Sequence, residues 1–113
     1  MNPEIKAQWV AALRSKDYKQ TTQQLRRGNK FCCLGVLCNL HAIAHPEIAA
    51  KETDPRSYFH SDDVLPKQVM KWAGLKFAYG GAVTINGEVD TLDSHNDNGV
   101  SFNVIATAIE EQL

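Results

Sequence analysis

The sequence predicts a single small α+β domain, and three observations point there. Apolar residues recur at helical spacing in several windows, and one stretch, Phe31 to His45, is apolar on nearly every side. A helix of that kind belongs inside a domain, with the other elements laid over it. Two short alternating runs flank Asn86-Gly87, the dipeptide that most strongly marks a β-hairpin. The third observation is length: 113 residues bury roughly two thirds of their unfolded surface, enough for one modest core. The expected architecture is about four helices around a buried central helix, plus a small antiparallel sheet containing the hairpin, all within residues 1–113.

Taken in order, Asn2 can cap a helix with Pro3 at its first position and Glu4 in its first turn, because the amide oxygen and the carboxylate both meet the positive helix end. This helix runs to about Ser15 and turns Ile5, Trp9 and Leu13 inward. Tyr18 to Arg27 is polar and reads as a short strand or extended arm, ending in a Gly28-Asn29 turn. The central helix follows from about Lys30 to Ala44, with Asn29 as its cap. Its stripe of Cys33, Val36, Leu37, Leu40 and Ala44 faces the core, and Gly35 permits close approach of another backbone, with helix packing favoured, or of a ligand.

His45-Pro46 closes the central helix, and Pro46 to Ser61 reads as polar and irregular, with a short strand at Ser57-Tyr58-Phe59. Pro66 starts a helix through Ala73, with Gly74 just past its end. The hairpin pairs Ala82–Ile85 with Glu88–Leu92 and needs a third strand, from Tyr58 or the Thr21 region, or a covering helix. Asp93 to Gly99 reads as a turn before the last helix, Phe102 to Gln112, which Ser101 caps. The central helix is expected between the first and last helices on one side and the sheet on the other.

Twelve Lys and Arg stand against thirteen Asp and Glu, a net charge of −1, which supplies no field to attract nucleic acid or an anionic membrane. A hydrophobic content of 43% and a charged content of 22% exclude a disordered chain. No run approaches the roughly 18 apolar residues of a membrane span. Met1-Asn2-Pro3-Glu4 also lacks the features of a signal peptide. These observations predict a cytoplasmic protein with reduced cysteines; self-association stays open.

Three constellations could carry chemistry. Cys32, near a helix start with cations beside it, could be a nucleophile with His95 as base and Asp97 orienting it. The competing reading is a buried packing cysteine, and no oxyanion motif accompanies it. Cys38, His41 and His45, three and four residues apart, could share one helix face as metal ligands, although no second ligand pair exists. Neither a metal nor a cofactor is favoured. The last constellation is for binding: Arg26, Arg27 and Lys30 form the one dense basic cluster and could hold an anion together with His95 and Asn96 of the later polar stretch.

Three stretches carry a resemblance: Phe31-Cys32-Cys33-Leu34-Gly35-Val36-Leu37-Cys38, Leu65-Pro66 with Trp72-Ala73-Gly74-Leu75, and Asn96-Asp97-Asn98-Gly99-Val100-Ser101-Phe102. In them the chain resembles small uncharacterised proteins of bacteriophages, prophages and their bacterial hosts. The resemblance implies a phage-related source and action in the bacterial cytoplasm, and it brings no catalytic residues. The expected function is a phage-related accessory binding protein that antagonises a host defence system by binding a host protein or a small nucleotide. The alternative is a cysteine-dependent hydrolase or transferase using Cys32, His95 and Asp97.

Overall fold

The computed structural model describes all 113 residues. Helix α1 (Pro3–Arg14) starts as its cap residue dictates: Asn2 Oδ1 accepts from the N–H groups of Glu4 (2.9 Å) and Ile5 (3.2 Å). Three two-residue strands follow, β1 (Lys19–Gln20), β2 (Arg26–Arg27) and β3 (Lys30–Phe31). Strand β3 lies in the middle, parallel to β1 and antiparallel to β2. Gly28, with φ of 59°, makes the tight β2–β3 turn. The central helix α2 (Cys33–Ala44) buries Cys33 to Cys38 and His41. It therefore starts later than the sequence suggests: Lys30 and Phe31 are strand, and the cap is Cys32, not Asn29.

Beyond α2 come α3 (Pro46–Ala49), α4 (Lys67–Ala73), the strands β4 (Ala82–Ile85) and β5 (Glu88–Thr91), α5 (Leu92–Asp97) and α6 (Phe102–Gln112). The four expected helices are α1, α2, α4 and α6; α3 and α5 are two short additions. Helix α5 overturns the turn expected over Asp93 to Gly99, because Leu92, His95 and Asn96 share a buried face. The hairpin forms around Asn86-Gly87, both with positive φ, but it remains two-stranded. Tyr58 reaches only Ser61, across a turn in which Phe59 and His60 have positive φ, so it supplies no third strand. Support comes instead from α6, where Gln112 donates to Thr84 O (2.8 Å) and accepts from Thr84 N (2.7 Å).

One cluster of 23 buried residues forms the core. Trp9 is fully buried on α1, and its indole N–H donates to Cys33 O (2.9 Å), fixing α1 on the first turn of α2. Helix α6 packs chiefly along α1, and the contacts of α2 are with α1, α3, α4, α5 and β3. The hairpin therefore packs chiefly on α6 and α5 rather than on α2, which corrects the expected sandwich. Asn2 N donates to Ala73 O (2.8 Å), tying the chain start to the end of α4, where Gly74 is left-handed. No helix is long and apolar enough to cross a membrane.

Candidate functional site

The outer face of α2 carries Gly35, Cys38, Asn39 and Ala42, at helical spacing and all small. Above them, between the segments on either side, lies a cleft of about 300 Å³. Leu25, Arg26 and Phe31 form one wall, and the chain from Ala49 through Glu52 to Tyr58 forms the other. The cleft continues into a wholly polar groove of about 400 Å³ past Asp54, Arg56 and His60. That groove is the larger of the two, but it lacks any apolar wall, so the α2 cleft is the better ligand site.

The Gly35 end is built by backbone. The Leu25 carbonyl lies directly on Gly35, where an added Cβ would sit 1.8 Å from its oxygen. That carbonyl accepts from Cys32 N (3.2 Å), while Leu25 N donates to Asp62 O (2.7 Å). Close approach at Gly35 is thus by another backbone, as expected, and that backbone is an extended segment and not a helix.

Arg26 stands at the rim. Its Nε donates to Gly28 O (2.7 Å), and its guanidinium carbon lies 5.1 Å from the centre of the Phe31 ring. It has no carboxylate partner, the two ion pairs of the molecule being Arg14–Glu110 and Arg56–Asp54. Phe31 meets Tyr18 edge-on (5.2 Å), and the Tyr18 hydroxyl accepts from Asn39 Nδ2 (2.7 Å). Across the cleft, Glu52 accepts from Phe59 N, and Asp54 accepts from Arg56 N (2.9 Å), which holds the Asp54 carboxyl below its ordinary range. Burial raises the Tyr58 hydroxyl to about 12 and also raises the neighbouring Cys38 thiol.

Of the five residues expected to bind an anion, only Arg26 lines the cleft. Arg27 is held by Gln24, and Lys30 pairs with Arg27 across the β2–β3 turn. His95 and Asn96 are buried in a different role. Asn96 Oδ1 accepts from Gln20 Nε2 (2.9 Å) and Cys33 N (3.1 Å), and its Nδ2 donates to Thr21 O (2.8 Å). This one side chain joins α5 to the start of α2 and to the β1 arm, so it is a structural hub.

The cysteine constellation is not joined by hydrogen bonds. Cys32 is 3% exposed, and its Sγ accepts from Gly35 N (3.4 Å) as the helix cap. Burial raises its thiol to about 11, outweighing the stabilising N–H groups at the helix start. His95 donates from Nε2 to Val83 O (2.9 Å), and Asp97 accepts from Gln23 N (2.7 Å), so both are occupied elsewhere. The metal candidates do not converge either: no three His, Cys, Asp or Glu side chains come together to hold an ion. His41 Nδ1 bonds the Tyr58 hydroxyl (2.7 Å), and His45 stacks on His41 (4.2 Å between rings) with its own Nδ1 on His41 O (2.9 Å).

Glu52, Asp54, Arg56 and Tyr58 were not singled out from the sequence as site residues. The signal that existed was the small face of α2; nothing local marks which loop covers it. No curated protein and no solved structure matches the chain. A family model does match, over residues 1–113, and the chain belongs to that family, described as "Domain of unknown function (DUF8296)".

Proposed function

We propose that this protein is a phage-related accessory protein that binds a small host molecule in the α2 cleft and thereby antagonises a bacterial defence system in the cytoplasm. The observation that carries the reading is the cleft itself. It is concave, floored by Gly35, Cys38, Asn39 and Ala42, and it holds an unpaired guanidinium at its rim. Such a shape suits a small ligand better than a protein surface. The resemblance of three stretches to phage and prophage proteins supports the biological setting. The cysteine-hydrolase reading finds no support in the geometry, since Cys32, His95 and Asp97 share no hydrogen bond and Cys32 is a poor thiolate.

The test is a backbone amide NMR titration of the full chain with a library of small aromatic and anionic fragments. Shifts centred on Gly35, Asn39, Ala42 and Ser57, and lost in Ala42→Trp, are the expected result. Shifts that are absent, or centred on another surface, overturn the reading. In a phage infection assay on a defended host, the wild-type chain should raise plaquing efficiency and Ala42→Trp should not.

A further inference from the structure

We propose that the α2 cleft takes a nucleoside monophosphate, with Arg26 binding the phosphate and the base lying on the small-residue face of α2 between Phe31 and Tyr58. This rests on the reading of the cleft as the binding site and adds the ligand class. Four observations lead to it.

The first is size. About 300 Å³ is at the lower end of ligand pockets, which matches one base, sugar and phosphate unit. The second is the state of Arg26. Gly28 O and the Phe31 ring fix its position, while its terminal nitrogens have no partner within the chain, so a rigid fork of donors is ready for a bidentate phosphate. The neighbouring Arg56 differs in facing a carboxylate, with its Nε 3.7 Å from Asp54.

The third is charge balance. Arg26 and Arg56 share the cleft with Glu52 and Asp54, so its net charge is zero. One phosphate can meet Arg26, but the added charge of a di- or triphosphate would face two carboxylates with Arg56, already paired to Asp54, as the one other cation of the cleft. The fourth is the acceptor at the inner wall. Glu52 uses Oε1 on Phe59 N and has a second oxygen to spare, which favours a base bearing an amino group. Adenine, guanine and cytosine carry one, and uracil does not.

The experiment is calorimetric titration of the full chain with AMP, CMP, GMP and UMP, and with adenosine, inorganic phosphate, ATP and a cyclic dinucleotide. The amino-bearing monophosphates should bind, with adenosine, phosphate, ATP and the cyclic dinucleotide each at least tenfold weaker and UMP the weakest monophosphate. Arg26→Gln should weaken AMP by tenfold or more and leave adenosine unchanged. Arg26→Lys, which keeps the charge without the fork, should lie between, and Arg27→Gln should match the wild type. Circular dichroism confirms that each variant folds. The proposal is overturned if AMP binds no tighter than adenosine, or if Arg26→Gln and Arg27→Gln behave alike. Fragments that map to the cleft while no monophosphate binds would defeat this ligand class and leave the binding reading standing. If nothing binds the cleft, both fail.

Discussion

A single hydrogen atom at Gly35 decides whether α2 and the β1–β2 segment can meet. The Leu25 carbonyl occupies the place where any side chain would begin, and it cannot retreat, because Cys32 N and Asp62 O hold its residue on both sides. Gly35→Ala should therefore lose about 3 kcal/mol or more, beyond the usual penalty of core overpacking, because the obstacle is backbone. Urea denaturation measures this, and a loss below about 1 kcal/mol would contradict the packing described. The cysteines make a second prediction at this scale. All three are buried, and burial raises each thiol above its ordinary range. Ellman's reagent at neutral pH should label none of them in the native protein and all three in denaturant. Rapid native labelling of Cys32 would revive the nucleophile reading.

At the scale of elements, the chain was most legible where one residue type has one physical use. Asn2 with Pro3, Ser101 and Gly74 each sit at the helix boundary they suggest, and Asn86-Gly87 makes its turn. Helix α5 was not legible, because its burial depends on Asn96, a polar residue whose partners Gln20, Thr21 and Cys33 lie 63 to 76 positions away. Strand β3 has two residues and no period to read, so Lys30 and Phe31 passed for the first turn of α2. The cleft was half legible: Gly35 marked an approach on α2, but the loop opposite has no pattern.

That loop is fastened at its far end through His41 on α2, which meets the Tyr58 hydroxyl, the stacked ring of His45 and the edges of Phe59 and Trp72. Burial first, and the charge of His45 second, lower the His41 pKa from 6.5 to about 4. Between those values the unfolded chain binds a proton that the folded chain lacks, so stability falls as pH drops from about 6.5 towards 4 and is intact above that window. Urea midpoints measured from pH 8 to 4 should show this decline, and His41→Phe should flatten it. An unchanged slope in the variant would assign the effect to other groups.

The whole molecule ends in a device of one side chain. A two-stranded hairpin has two open rows of backbone groups, and each can recruit a strand from another molecule. On β4 that row is answered at Thr84 by the carboxamide of Gln112, which donates and accepts as a neighbouring strand would. The β5 row stays open at Val89, 73% exposed, between the carboxylates of Glu88 and Asp90, which repel a second copy laid against them. One edge is plugged and the other is guarded by charge, so protection of the β4 edge depends on the last turn of α6. Gln112→Ala should leave the core intact yet bring on concentration-dependent light scattering, which Thr84→Pro, removing the outward N–H, should reduce. Identical scattering from Gln112→Ala and the wild type would show that the plug is dispensable.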